Sequence, residues 1–218
     1  LLRKAAEIAD RGMEAAFSAL RPGVKEREVA LEAEYAMRKA GSQELAFNVV
    51  LNTGARSAYP DVCRADKVVA EGDMGFVDLG PRYQGYMGDM TRCFILGQPT
   101  ARQRELVNTV RRVQEEALQM VRPGLRTEYY DLAIRRAFTA AGYEGNPPHH
   151  TGHSLGLGED IPDIVPATDD VILLGDVMTV EIGAYVRDFG GARIEDMVIV
   201  ADGKPEVLTR FPKDRIVI

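Results

Sequence analysis

Tryptophan is missing from this sequence, and its 218 residues include only two cysteines and three histidines. The cysteines, Cys63 and Cys93, belong to no CxxC or CxxH pair, so neither a disulfide framework nor a thiolate zinc site is expected. They read as ordinary thiols of a reducing compartment, and a cytoplasmic location is expected. Long apolar runs are missing too. The stretch from Leu45 to Leu51 is interrupted by Asn48 and falls far short of the roughly 20 residues that a bilayer span needs, and no signal-peptide pattern opens the chain. Nor is there an excess of positive charge: 27 Lys and Arg face 33 Asp and Glu, for a net charge of −6. That balance argues against nucleic acid or an anionic membrane as the main partner and leaves small molecules or peptides. What is present, 45% hydrophobic and 28% charged residues, is the composition of a folded globular chain. Leu1 already lies inside a helical pattern, so a further N-terminal domain is expected upstream.

The chain contains an internal repeat. Arg21-Pro22-Gly23-Val24-Lys25 recurs as Arg122-Pro123-Gly124-Leu125-Arg126, and at the same offset of 101 Ala16, Leu31, Ala36, Ala40 and Gly41 fall on Ala117, Leu132, Ala137, Ala141 and Gly142. In each copy an amphipathic stretch (Leu1 to Leu20; Arg104 to Val121) meets Pro-Gly, and a second helical stretch runs to a Gly suited to a C-terminal cap. Short apolar runs bounded by glycine follow, Met74 to Gly80 and Val177 to Gly183, and turn into Asp89 to Leu96 and Arg193 to Val200 as antiparallel hairpins. The predicted fold is α+β: two duplicated helix-helix-hairpin halves, about 1–97 and 102–203, forming one antiparallel sheet covered by helices in a single domain over 1–218.

Acids are depleted in strands, yet each hairpin carries one in either strand: Asp78 with Asp89, and Glu181 with Glu195. The spacing between Asp78 and Asp89 lets them face each other across a hairpin. The longer one between Glu181 and Glu195 suits a three-residue loop centred on Asp188, or a bulge. Solvent exposure or pairing with Arg92 and Arg193 would explain any one of them. Four on one face repel one another at about 4.5–5.5 Å between Cβ atoms and call for cations. All three histidines fall in His149-His150-Thr151-Gly152-His153. One imidazole among oxygen ligands suits Mn, Fe or Co, with Zn also compatible, and a pair of divalent ions supports hydrolysis.

The motifs Val77-Asp78-Leu79-Gly80, Gly85-Tyr86-Met87-Gly88-Asp89-Met90-Thr91-Arg92, His149 to His153, Thr179-Val180-Glu181-Ile182-Gly183 and Arg193-Ile194-Glu195-Asp196 together resemble the catalytic domain of the pita-bread metalloenzymes. That group includes methionine aminopeptidase, aminopeptidase P, prolidase and creatinase, and the wording is most similar to the prolidase and aminopeptidase P branch. The resemblance implies a curved pita-bread sheet, two divalent metal ions with Mn foremost, and a metal-bridging hydroxide that attacks an amide carbonyl. It implies that Asp78 holds one ion, that Asp89 and Glu195 bridge both, and that His153 and Glu181 complete the other. Glu181 would also transfer the proton, His149 would act in catalysis or binding by hydrogen-bonding the substrate or the transition-state oxygen, and Arg193 would support Asp89 or Glu195. A homodimer acting on a small peptide, amide or amine is expected.

The chain departs from that pattern at two substrate-side positions. Asp61 and Glu159 stand where the resemblance leads one to expect imidazoles, and Ile182 replaces a proline. Carboxylates only accept hydrogen bonds and add negative charge, so these two are candidate substrate-binding residues for a cationic or amine-bearing group. Besides an Xaa-Pro peptidase, the sequence therefore leaves open a non-peptide C–N hydrolase of the creatinase or ectoine-hydrolase type, and a catalytically silent binding module.

Overall fold

The computed structural model describes residues 1–60, 66–164 and 170–218, the side chains of 159–163 excepted. Both halves open on a helix pair: α1 (Leu2–Ala19) with α2 (Glu26–Lys39), and α3 (Ala101–Met120) with α4 (Thr127–Ala140). The offset of 101 carries α2 onto α4 residue for residue. Helix α1 buries Ala5, Ile8, Ala9, Gly12, Met13, Ala16 and Phe17, the spacing of one helical face; each large apolar side chain among them contributes about 1.5–3 kcal/mol. Helix α3 starts three residues before the expected Arg104, because the Thr100 side chain accepts a hydrogen bond from Gln103 N and caps the first turn. Gly41 and Gly142 terminate α2 and α4 in the left-handed region, at φ 114° and 84°. The turns after α1 and α3 are also equivalent: Gly23 N donates to Val69 O and Gly124 N to Ile172 O, both at 2.8 Å.

The strands are β1 (Glu44–Leu45), β2 (Val50–Thr53), β3 (Met74–Leu79), β4 (Pro81–Tyr83), β5 (Tyr86–Met87), β6 (Met90–Ile95), β7 (His153–Leu155), β8 (Glu159–Asp163), β9 (Val177–Val186), β10 (Gly190–Ile199) and β11 (Glu206–Val207). The main sheet runs β2-β3-β6-β10-β9-β7-β8, with β11 on β10, and the two halves meet at β6 and β10. Strands β9 and β10 pair over ten residues through the loop 187–189, with Asp188 at φ 59°, so Glu181 lies opposite Glu195 as the three-residue loop requires. The first hairpin differs from expectation. Residues 81–87 do not simply turn; they form β4 and β5, which join β1 in a separate three-stranded sheet. This ribbon shifts the register, so that Asp78 faces Thr91 and Asp89 precedes β6.

Side-chain alternation then sorts the two faces of the sheet. Val77, Leu79, Met90 and Phe94 pack with α1 residues, and Val180, Ile182, Ile194 and Val198 with α3 residues. The intervening positions, Asp78, Thr91, Glu195 and Glu181, point the other way. No described helix is long and apolar enough to cross a membrane.

On the helix side, fully buried Asp196 accepts hydrogen bonds from Arg92 Nη2 (2.7 Å), Gln114 Nε2 (2.8 Å), Thr209 Oγ1 (2.7 Å) and Lys213 Nζ (2.8 Å). Arg92 also donates to the carbonyls of Thr91, Glu195 and Phe211. Burial would raise the Asp196 carboxyl, but Arg92 and Lys213 outweigh it and hold the group well below the usual carboxylate range. Its contribution is therefore present at neutral pH and lost only as pH falls into strong acid. Asp196→Ala leaves the Arg92 charge buried without its partner, so urea denaturation is expected to show a loss of about 3–5 kcal/mol. A loss under 1 kcal/mol would contradict this account.

Candidate metal centre

The strand register sets the site. Asp78 on β3, Thr91 on β6, Glu195 on β10 and Glu181 on β9 form one continuous row of paired positions across four strands. Asp89 lies two residues before Thr91 and reaches the same face. His153 opens β7, which flanks β9. Gly152 makes this approach possible: a Cβ there would run into the Thr179 carbonyl oxygen. Further anchors are His153 N to Thr179 Oγ1 (3.2 Å) and Glu181 N to Thr151 O (3.1 Å). Helix α4 contributes the Asp131–Arg135 pair, in which Asp131 accepts from Thr151 Oγ1 (3.1 Å) and Arg135 donates to His149 O (3.0 Å).

Asp78, Asp89, His153, Glu181 and Glu195 are each between 1% and 8% exposed, and all five line one cavity of about 340 Å³ together with Phe47, Asn48, Val50, Pro60, His150 and Arg193. His153 Nδ1 lies 3.0 Å from the Ser154 carbonyl, which fixes the ring so that Nε2 points into the cavity, 3.5 Å from Asp89 Oδ2. Thr91 Oγ1 donates to Glu195 Oε2 at 2.9 Å.

Arg193 departs from its expected partners. It pairs with Asp78 and lies 3.4 Å from Glu181 Oε1, rather than supporting Asp89 or Glu195. The reason is that its Cα stands opposite Gly183, one row along from Glu195, and its guanidinium lies over the Phe76 ring at 4.7 Å and reaches back diagonally. His149 does not line the cavity but lies beside it, with Nδ1 3.7 Å from Glu181 Oε1. Its Nδ1 donates to His150 O (2.6 Å) and its Nε2 accepts from the Tyr185 hydroxyl (2.8 Å), so both ring nitrogens are engaged within the protein. Burial lowers the His149 pKa and raises that of Tyr185, consistent with a neutral imidazole accepting from a phenol. His150 is the neighbour that lines the cavity. Asp61 lies outside the described residues, as does Cys63, and of Glu159 only its place in β8 is described. Cys93 is buried, and burial pushes its thiol up to about 12, so it is inert. Thr91, His150, Tyr185 and the Asp131–Arg135 pair were not identifiable from sequence; only the retained Thr in the Asp89-Met90-Thr91-Arg92 motif hinted at one of them.

The carboxylates perturb one another. Burial, then Asp89, Glu181 and Asp78, raise Glu195 well above its usual range, and burial raises Asp78 despite Arg193. Burial would also raise Glu181, but the His150 hydrogen bond and the Arg193 charge pull it down to about 2. Among the described lining residues Arg193 is the one Lys or Arg facing four acids. Asp78 Oδ1 and Glu195 Oε1 are buried with no hydrogen-bond partner among the described residues, a cost of about 1–3 kcal/mol or more each. Carboxylate lone pairs in excess beside an imidazole fit divalent cations. Ligand atoms of Asp89, His153 and Glu195, and again of His150, His153 and Glu181, lie within 4.8 Å of one another.

A duplicated α+β sheet presenting four acids and an imidazole to one cavity defines a pita-bread metalloprotein. Solved structures of the same architecture include the prolidase of Pyrococcus horikoshii, at 34% identity and TM-score 0.96 over 99% of this chain and 62% of that one. Others are the Xaa-Pro dipeptidase of Bacillus anthracis, at 37% identity and TM-score 0.96 over 100% and 61%, and the X-Pro aminopeptidase of Thermotoga maritima, at 33% and 0.95 over 100% and 62%. By sequence, the chain is 34% identical over 217 residues to the Xaa-Pro dipeptidase of Pyrococcus horikoshii. The chain belongs to metallopeptidase family M24, which matches residues 1–202. It spans 62% of the length of that dipeptidase.

Gly152→Ala tests the close approach of the histidine segment to β9. Overpacking against a backbone carbonyl is expected to cost about 1–3 kcal/mol and to shift the imidazole ¹⁵N resonances of His153, which are readily assigned with three histidines in the chain. Unchanged stability and resonances would show that the segment is not held so tightly.

Proposed function

We propose that the protein is a dinuclear-metal-dependent hydrolase of the prolidase or aminopeptidase P type, cleaving an amide bond next to proline in a small peptide. The observation that carries this reading is the convergence of Asp78, Asp89, His153, Glu181 and Glu195 on one buried cavity. Asp78 would hold one ion and His153 with Glu181 the other, Asp89 and Glu195 being shared between them. Two divalent ions, Mn or a close substitute, would supply an acidified water and a polarised carbonyl at neutral pH. The remaining work falls to the protein. Glu181, held ionised by its neighbours, takes a proton as the water oxygen bonds to the carbonyl carbon and returns it to the leaving nitrogen as the C–N bond breaks. Arg193 keeps Asp78 and Glu181 in place, and the Thr91 hydroxyl orients Glu195. Phe47, Val50 and Pro60 give the cavity an apolar wall that suits a pyrrolidine ring.

A panel of Xaa-Pro dipeptides, Xaa-Pro tripeptides, proline-free dipeptides and small acyl amines, assayed with Mn or Co added, is expected to show turnover concentrated on the Xaa-Pro substrates and abolished by chelation. Glu181→Gln is expected to lower kcat about 10²- to 10⁴-fold. Turnover of acyl amines alone would favour the non-peptide reading, and metal uptake with no turnover of any amide the binding-module reading.

The acids at Asp61 and Glu159 add charge where the resemblance leads one to expect imidazole donors. Asp61→His and Glu159→His are accordingly expected to raise kcat/KM on Xaa-Pro dipeptides and to reduce any preference for a free amino group. No gain in peptide turnover from either variant would count against this role.

A further inference from the structure

His150 has no role in the five-ligand scheme, yet its ring lies in the cavity with Nε2 3.0 Å from Glu181 Oε2. Two donors bound at about 2.1 Å to one ion, at right angles, stand about 3 Å apart. The His150 and His153 rings lie edge to face at 5.2 Å between centroids, and ligand atoms of both, with Glu181, fall within 4.8 Å of one another. Adjacent His149, with Nδ1 3.7 Å from Glu181 Oε1, is bound through Nε2 to Tyr185, and its Nδ1 bond to the His150 carbonyl holds the backbone between the two rings, leaving the His150 side chain lining the cavity.

From this geometry we propose that His150 is a second nitrogen ligand of the metal centre. It makes, with His153 and Glu181, a two-imidazole end opposite an all-carboxylate end formed by Asp78 with the shared Asp89 and Glu195. The inference rests on the two-metal reading above and deepens it, because the two ends then differ in ligand softness. Imidazole-rich coordination favours Zn, Co or Fe, whereas carboxylate coordination is suited to Mn or Mg. The ions should bind with separated affinities, the borderline ion at the histidine end. Loss of the His150 nitrogen should bring the two affinities together.

The direct test needs no variant. X-ray absorption on the full chain loaded with two equivalents of Zn is expected to report two imidazoles per pair of ions. A single imidazole overturns the proposal while leaving the two-metal reading standing, and failure to take up metal at all overturns both. Chelator competition supplies an independent readout. In His150→Ala the tighter site is expected to weaken at least about tenfold, the lower bound seen even for groups that only support a ligand, with the weaker site little changed. His150→Gln separates coordination from hydrogen bonding to Glu181, since an amide can donate to the carboxylate but is a poor ligand. The same loss of affinity in the Gln variant supports the proposal; wild-type affinity in the Gln variant, or in a folded Ala variant as judged by circular dichroism, refutes it.

Discussion

Mutual repulsion among buried carboxylates is the constraint around which this molecule is arranged. Asp78, Asp89, Glu181 and Glu195 share one cavity in which Arg193 is the one guanidinium among the described lining residues, and burial raises the cost of each charge instead of screening it. The protein distributes the load unequally. Glu181 is kept ionised by the His150 hydrogen bond and Arg193, whereas Glu195, flanked by three other acids, is driven toward protonation unless further positive charge enters. The excess lone pairs of Asp78 and Glu195 are the feature of the cavity that suits it to cations.

Holding such a cluster requires rigidity on the opposite side of the sheet. Arg92 and Asp196 immediately follow Thr91 and Glu195 in sequence and therefore project from the opposite face, where Arg92 grips the backbone carbonyls of Thr91 and Glu195. The seam between the two halves is thus clamped from the helix side at the point where it carries the acids. Gln114 from α3, together with Thr209 and Lys213 near the C-terminus, ties the same network to the helix layer and to the final segment. The duplicated architecture explains why the cluster forms there: the second strands of the two hairpins, β6 and β10, meet at the seam and place the two pairs of acid-bearing strands side by side.

The duplication is imperfect, and its imperfection shapes the site. In the second half a three-residue loop keeps Glu181 and Glu195 in direct register. In the first half the β4–β5 ribbon intervenes, Thr91 takes the paired position, and Asp89 reaches the cavity from ahead of the strand. A symmetric arrangement would stack four acids in one row; the observed one replaces the second with a hydroxyl that donates to its neighbour, Glu195. Chemical asymmetry between the two ends of the centre follows from that register shift and from the one-sided placement of the histidine segment on β9.

The sequence alone determined the helix pairs at an offset of 101, the two hairpins of the main sheet and which acids and histidines are candidates, because each is written in local spacing or residue type: helical periodicity, Pro-Gly stops and short apolar runs bounded by glycine; between a three-residue loop and a bulge at Asp188 it left the choice open. Side-chain partnerships were decided only in the tertiary structure. Arg193 selects Asp78 and Glu181 because Phe76, more than a hundred residues earlier in the chain, offers its ring as a platform. His150 rather than His149 faces the cavity because Tyr185 captures its neighbour, and Thr91 enters the row because β6 pairs with β10 across the seam. Each of these choices depends on which strand lies beside which. Hydrogen-bond geometry between chain-distant residues sets that order, and no periodicity within a single segment encodes it.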